Sequence, residues 1–208
     1  MDWSRRPAPR RIETERMVLR PWNERSDAEA LHDAVLESLD TLRPWLPWAE
    51  AEPGSLRSRR RTLRTFAETF ARDEDYIYGA FTPDESRVLG GFGLHPRVGP
   101  GGIELGYWVR ASETRRGYAA EGAAALITAA IRLMGLDRIE VRIEPRNVAS
   151  QRVVAKLGLV KEATLRRRFP RGKELRDMDL YTVFREDPLP ETSARFLDPA
   201  GREISPQP

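Results

Sequence analysis

The fold is decided by residues 103–144, which read IELGYWVRASETRRGYAAEGAAALITAAIRLMGLDRIEVRIE. The stretch begins as a strand, continues as an Ala-rich segment with apolar residues at helical spacing, and ends in a second strand rich in isoleucine and valine. Two consecutive strands joined by a helix in this way lie parallel in one sheet. Residues 103–144 therefore predict a parallel pair of strands.

The flanking sequence indicates that this pair lies inside an otherwise antiparallel sheet. Short apolar runs on its N-terminal side are separated by turn sequences such as Pro83-Asp84-Glu85-Ser86, which are typical of hairpins. We expect an α/β (α+β) fold with a mixed, mostly antiparallel central sheet and flanking helices. Strands are expected near residues 17–21, 76–82, 88–94, 103–110, 139–144, 159–169 and 177–185, and helices over about 15 residues after Ser26 and near 55–72, 119–134 and 147–157.

The chain of 208 residues suits one domain with extensions. Residues 1–11 are rich in proline and arginine and are expected to form a flexible N-terminal arm. Residues 12–186 are expected to form the single domain. Residues 187–208 contain five prolines and few large apolar residues, so a disordered tail is predicted there. Ser26 and Glu29 have the spacing of a capping box at the first helix.

The composition excludes several kinds of chemistry. There is no cysteine, which removes disulfides, thiolate zinc sites and cysteine nucleophiles. Two histidines, His32 and His95, are too few for a histidine-rich metal site, so no metal is expected. No apolar run approaches the roughly 18 residues of a membrane span, and the first residues lack the apolar stretch of a signal peptide. We expect a cytoplasmic protein without membrane contact.

Arginine dominates the positive charge. The 35 basic residues include three lysines, and the net charge is +3. A codon bias towards arginine explains this pattern, and so does recognition of phosphate or carboxylate groups by guanidinium. Two clusters, residues 57–64 and 166–176, are either solvated surfaces or contacts for RNA or a ribosome.

The loop between the first parallel strand and its helix is a candidate anion site. Arg115 and Arg116 precede Gly117, and small residues follow it. The free N–H groups and the dipole of a helix start attract phosphate, although an ordinary turn explains the same residues. The signatures of P-loop ATPases, serine hydrolases and dinucleotide dehydrogenases are missing from the sequence.

A resemblance to a known family favours the anion site. Residues 144–160, EPRNVASQRVVAKLGLV, resemble the second signature segment of the GCN5-related N-acetyltransferases (GNAT). The run 14–184 is similar to the RimJ/RimL group, which acetylates N-terminal amines of ribosomal proteins. Further similar segments are 14–21, 42–48, 88–94 and 103–109. The anion loop departs from the family pattern, because Thr114 replaces a Gln or Arg and Arg115 replaces a glycine.

The resemblance implies a GNAT fold with a splayed parallel pair and acetyl-CoA as the donor. It implies that the pantetheine arm lies between residues 103–110 and 139–144 and that the diphosphate binds the amides of 115–120. The residues expected to contact acetyl-CoA are Trp108, Val109, Arg110, Arg115, Arg116, Gly117, Tyr118, Ala119, Ala120, Asn147, Ser150 and Arg152.

The catalytic candidates are Glu104 and Ser150. Glu104 is expected to act as the base, or else to orient the acceptor or pair with an arginine. Relatives often carry a tyrosine acid on the helix over 147–157, but this helix has none; Ser150 is the expected substitute, or else a purely structural serine. Trp45, Trp48 and Glu104 are candidates for the acceptor pocket, with core packing as the alternative for the tryptophans. His95 is interpreted as a capping or packing residue.

Three functions remain open at this point. The first is N-acetylation of a protein N-terminus, with ribosome contact as an accompanying expectation. The second is acetylation of a small amine such as an antibiotic, a polyamine or an amino acid. The third is an RNA- or ribosome-binding module on the same scaffold. The expected assembly is a monomer or a homodimer.

Overall fold

The computed structural model describes residues 6–206. Nine strands and four α-helices lie within these residues, and short helical turns follow α1, β5 and α3. In chain order the elements are β1 (Arg11–Glu13), β2 (Val18–Pro21), α1 (Ala28–Leu42), α2 (Leu56–Ala71), β3 (Tyr76–Phe81), β4 (Val88–His95), β5 (Gly102–Val109), α3 (Tyr118–Thr128), β6 (Arg138–Ile143), α4 (Val148–Lys156), β7 (Val160–Arg171), β8 (Glu174–Phe184) and β9 (Arg195–Leu197).

The nine strands form one sheet in the order β7-β8-β6-β5-β4-β3-β2-β1-β9. Every neighbouring pair is antiparallel except β5 and β6, which are parallel. These two strands pair only through residues 102–104 of β5 and 138–140 of β6 and then diverge. The predicted mixed sheet with a splayed parallel pair is confirmed.

Strand β5 separates two apolar layers. Ile103, Leu105 and Tyr107 belong to the layer that contains α3 and α4. Trp108 packs instead with residues of α1 and α2. Because side chains alternate along a strand, Glu104 and Trp108 point to the same face. The divergence of β5 and β6 is thus bordered by different helices on its two faces.

The C-terminal segment is more ordered than predicted. Strand β9 pairs with β1, and Phe196 is 1% exposed, so the prediction of a disordered tail over residues 187–208 is wrong for these residues. One large apolar side chain at a strand position anchors the segment on an edge strand despite its prolines. Residues 207 and 208 lie outside the described residues.

The predicted flexible arm over residues 1–11 is likewise partly ordered. Ala8 is buried, and the carbonyl oxygen of Pro9 accepts a hydrogen bond from Tyr78 at 2.9 Å. Arg11 is already the first residue of β1. The arm prediction is therefore wrong for residues 6–11, and residues 1–5 lie outside the described part of the chain.

The start of α1 also differs from the prediction. Asp27 is the N-cap residue, and Ser26 donates to Asp27 Oδ1 at 2.8 Å instead of capping the helix. Arg20 binds the same carboxylate at 2.7 and 3.1 Å. This ion pair holds the residue at which the chain enters α1. The prediction of a capping box formed by Ser26 and Glu29 is therefore wrong. None of the helices in residues 6–206 combines the length and apolar character needed to cross a membrane.

Candidate active site

The gap between β5 and β6 is the first part of the site. Beyond residue 104, β5 still pairs with β4 but has no ladder partner on its β6 side. Unpaired backbone N–H and C=O groups need partners, and an extended molecule in the gap would supply them as an added strand does. Of residues 108–110, where the pantetheine arm is expected, Val109 has its backbone groups on the gap side, whereas the Arg110 amide donates to the Leu89 carbonyl oxygen of β4 at 2.8 Å.

The loop after β5 exposes backbone at the start of α3. Gly117 has a φ of +88° directly before Tyr118, and no side chain caps this helix. Its first-turn amides, including those of Ala119 and Ala120, have no intrahelical acceptors and lie at the positive end of the helix dipole. Arg115 is exposed and has no ionic partner among the described residues, whereas Arg116 pairs with Glu113 at 3.1 Å. The loop therefore suits an anion.

Arg16 reaches this loop from the turn between β1 and β2. Its Nη1 donates to the carbonyl oxygen of Arg116 at 2.8 Å, and its guanidinium lies 5.0 Å from the centre of the Tyr118 ring. Glu121 holds the same guanidinium in an ion pair. Sequence reasoning missed Arg16, because the two segments are about 100 residues apart and no local pattern reports their contact.

Asn147 and Ser150 lie at the start of α4, close to Tyr107 of β5. Asn147 Oδ1 accepts a hydrogen bond from the Ser150 amide at 3.1 Å. Ser150 Oγ lies 2.8 Å from the Tyr107 hydroxyl. Burial raises the pKa of Tyr107 to about 12, so the phenol stays protonated at neutral pH. No pattern in the sequence indicates that this tyrosine of β5 contacts Ser150.

Glu104 lies at the closed end of the gap, opposite Glu140 of β6. Its side chain is 8% exposed and accepts two hydrogen bonds from Arg97, at 2.6 and 3.0 Å, while Arg142 lies 3.5 Å away. A proton arriving on this carboxylate would have to disrupt the ion pair with Arg97. Of the roles foreseen for Glu104, pairing with an arginine is the one visible in the structure.

His95 lies beside Glu104 at the end of β4. Its Nδ1 is 2.6 Å from Asp75 Oδ1, and its ring lies back over Gly93. A Cβ atom added to Gly93 would be 2.4 Å from His95 Nε2, and one added to Gly106 of β5 would be 3.6 Å away. These glycines leave room for the ring on the face of β5 that also carries Glu104 and Trp108.

The two predicted acceptor tryptophans have different surroundings. Trp48 is 41% exposed and contacts Trp108 edge to face, with 6.1 Å between ring centres. The Trp108 indole covers Gly91, since a Cβ there would lie 2.5 Å from Trp108 Nε1. Trp45 is half-buried and lines a separate cavity. Trp48 and Trp108 therefore form one wall at the open end of the gap.

The cavity that Trp45 lines has a volume of about 580 Å³. It lies between the segment after α1, the loop before α4 and the β7–β8 hairpin. Arginines outnumber carboxylates among its lining residues. Behind it, buried Glu144 accepts from Arg176 at 3.0 Å and lies 3.6 Å from both Arg171 and Arg146. Its lining residues are Arg43, Pro44, Trp45, Glu50, Arg146, Arg171, Gly172 and Arg176.

Two predicted cofactor residues have other surroundings. Arg110 forms a 2.6 Å ion pair with Glu37 of α1. Arg152 is exposed on α4 and has no partner among the described residues. Arg59 is also unlike the expected surface arginine of α2, because it is 7% exposed and pairs with Glu52 at 2.7 Å.

The site offers binding groups for amides and for a diphosphate. The gap offers an unpaired strand edge to amide groups, and the start of α3 with Arg115 offers N–H groups and charge to a diphosphate. In residues 6–206, no group of three or more His, Asp or Glu side chains is arranged to hold a metal ion.

Comparisons with known proteins agree with this geometry. The model of the acetyltransferase (GNAT) domain family matches residues 16–160. The chain is 28% identical over 116 residues to a probable N-acetyltransferase, YjcK, of Bacillus subtilis, which covers 54% of this chain and 64% of that protein. A second B. subtilis relative, YnaD, is matched over 61% of its length, so the chain spans less than two thirds of both relatives.

Two further proteins are matched over more than two thirds of their length. The chain is 28% identical to the [ribosomal protein uS5]-alanine N-acetyltransferase of Escherichia coli, over 73% of this chain and 79% of that protein. The structure of Mycobacterium smegmatis RimJ in complex with CoA-disulfide superposes with a TM-score of 0.76 and 22% identity, covering 88% of this chain and 91% of that one. At this identity the superposition establishes the shared fold.

Proposed function

The chain belongs to the acetyltransferase (GNAT) family, and from this we propose that it transfers an acetyl group from acetyl-CoA to the N-terminal α-amino group of a protein. The gap between β5 and β6 carries the proposal, because it offers an unpaired strand edge beside the uncapped start of α3. The uS5-modifying relative makes a ribosomal protein the first acceptor to test. The proposed setting is the cytoplasm.

The donor supplies an activated acetyl group as a thioester, and the protein's residues bind and orient it. The first-turn amides of α3 hold the diphosphate with Arg115 and Arg116, and Arg16 fixes the loop from behind. The free backbone groups of Val109 and the side-chain amide of Asn147 hold the arm. A backbone N–H of β5 beyond residue 104 stabilises the negative charge that develops on the carbonyl oxygen.

Proton transfer completes the reaction. Ser150, hydrogen-bonded to the neutral phenol of Tyr107, returns a proton to the departing thiolate. Glu104 orients the acceptor side through its ion pair with Arg97. An α-amino group has a reference pKa of about 8, against about 10.4 for lysine, so it is the easier amine to deprotonate at neutral pH.

The arginine-lined cavity supports an acceptor that carries carboxylates. Four arginines line it against one glutamate, and Glu144 is the carboxylate behind them. Arg146 is 67% exposed and its ion pair with Glu144 is long, 3.6 Å, which leaves its guanidinium able to bind a further carboxylate. The same charge opposes polyamines and aminoglycosides, which are cationic.

The proposal is tested by thiol release from acetyl-CoA with peptides that begin with Ala, Ser or Met and continue with either Glu or Lys. We expect turnover, with kcat/KM about tenfold higher for the acidic peptides, which corresponds to about 1.4 kcal/mol. Arg146→Gln should reduce this preference, and Arg57→Gln on α2, outside the cavity lining, is the matched control. Turnover of small amines without turnover of any peptide would contradict the protein-acceptor proposal.

An RNA-binding role has weaker support from the arginine clusters. On α2, Arg59 pairs with Glu52, Arg64 with Glu24 and Arg60 with Glu29. Phosphate contacts would compete with these internal pairs. Salt-dependent RNA binding without acetyl transfer would support the RNA-binding role instead.

A further inference from the structure

We propose that His95, held by Asp75, is the group that accepts the proton of the acceptor amine. The inference rests on the proposed acetyl transfer and assigns its base. His95 Nδ1 lies 2.6 Å from Asp75 Oδ1.

This contact fixes the imidazole. A carboxylate accepts a hydrogen bond and donates none when ionised, so the proton of the neutral ring resides on Nδ1. Nε2 is then the ring's proton acceptor, and it makes no hydrogen bond to any described residue. The same division of labour, in which a carboxylate orients a histidine base, occurs in hydrolases.

The free nitrogen lies beside the start of the gap. Nε2 is near Gly106. On β5 this glycine lies between Glu104, the last residue that pairs with β6, and Trp108. Gly93 and Gly106 are cross-strand partners, and a side chain on Gly93 would displace the ring. An amine that approaches from the Trp48 and Trp108 side therefore meets His95 Nε2 on the same face of β5.

The neighbouring charges favour His95 over Glu104 as the base. Asp75 contacts the ring directly, and Glu104, the cross-strand partner of His95, is bound by Arg97. Arg97 donates two hydrogen bonds to Glu104, and Arg142, which hydrogen-bonds to Glu140, lies 3.5 Å from Glu104, whereas His95 contacts the carboxylate of Asp75. Protonation of His95 thus creates an ion pair with Asp75, and protonation of Glu104 breaks one.

The proton balance of the step is complete. The amine nitrogen forms a bond to the acetyl carbon while the carbon–sulfur bond breaks, and the N–H proton moves to Nε2. The thiolate takes up a proton from Ser150 and Tyr107, which regain one from solvent. The imidazolium returns its proton to solvent, so no other reactant is required.

The first test is kinetic. We expect His95→Gln to lower kcat by about 10²-fold at pH 7, in the usual range for loss of a general base, and to remove the corresponding limb of the pH profile of kcat. Asp75→Asn should retain partial activity, because the imidazole stays over Gly93 but loses the carboxylate that orients it. Acetyl-CoA affinity should stay unchanged in both variants.

The second test needs no turnover. The chain has two histidines, so nitrogen-15 spectra of the wild type and of His32→Gln assign both rings. We expect the Nδ1-protonated form for His95, and loss of that preference in Asp75→Asn. His32→Gln is also the kinetic control, with an unchanged pH profile.

Two results would overturn the inference: a His95→Gln enzyme with the wild-type pH profile and rate, or an Nε2-protonated His95 ring in the wild type. Thermal unfolding and acetyl-CoA binding of each variant identify a folding defect, in which case the ring spectra decide. A wild-type protein that transfers acetyl to no amine would instead refute the proposed function, so the two failures are distinguishable.

Discussion

At the scale of single residues, the contributions of Tyr107 and Ser150 to proton transfer can be measured separately by substitution. Tyr107→Phe removes the hydroxyl that lies 2.8 Å from Ser150 Oγ and keeps the ring in its layer. We expect kcat to fall about 10²-fold, because the thiolate then lacks its proton source, while the dissociation constant of acetyl-CoA changes little. Steady-state kinetics and a binding titration measure the two quantities.

Tyr181→Phe on β8 serves as the control, since it removes a phenol hydroxyl from a strand that does not border the gap. If Tyr107→Phe had the kcat of this control, Ser150 alone or water would be the proton source.

Residue roles were the hardest feature to predict from sequence. The family resemblance predicted Glu104 as a site residue, but its partner Arg97 comes from a turn and is fixed only by the fold. Tyr107 was overlooked because the expected tyrosine belonged to α4. Contacts of this kind join elements that are distant along the chain, and no local pattern encodes them.

At the scale of elements, β9 contributes to stability through one buried side chain. Phe196→Ala should lower the free energy of unfolding by about 3 kcal/mol, because it removes a ring that is 1% exposed and leaves a cavity between β9 and the core. Chemical denaturation measures the loss. Leu175→Ala, at a 55% exposed position on β8, is the control and should cost under 1 kcal/mol. Equal losses for both variants would contradict the role of β9.

The regular elements were predictable because periodicity and turns define them locally. The strand–helix–strand unit over residues 103–144 dictated the parallel pair, and the hairpin signals dictated its antiparallel neighbours. The strand β9 was missed because three residues among prolines carry no periodic signal. Its pairing depends on the edge of β1, which only the tertiary structure provides.

At the scale of the whole molecule, carboxylates join the helices to the sheet and set the acid stability. Hydrogen bonds from Ser112 and the ion pair with Arg110 lower the pKa of Glu37 to about 2. The unfolded chain therefore binds a proton at this residue before the folded protein does, as pH falls below about 4.5. The stabilisation by Glu37 is complete above that pH and is lost between about 4.5 and 2.

Glu37→Gln should consequently lower Tm at pH 7 and flatten its decline between pH 4.5 and 2. Thermal unfolding across this range measures both effects, with Asp33→Asn on the same helix as the control. Part of the decline should persist, because arginine and lysine partners lower the pKa of Asp27 and Asp179 in the same direction. An identical pH dependence in Glu37→Gln and the wild type would contradict this account.

The divergence of β5 and β6 also divides the sheet mechanically, into three strands on one side and six on the other. In the described residues, the ladder that joins the two groups is confined to residues 102–104 and 138–140. An extended molecule in the gap would bridge the two groups of strands, and the amides of Leu105, Tyr107 and Val109, which point away from β4, would then exchange slowly with deuterium. Occupancy of the gap would therefore govern the stiffness of the whole sheet as well as the chemistry beside it.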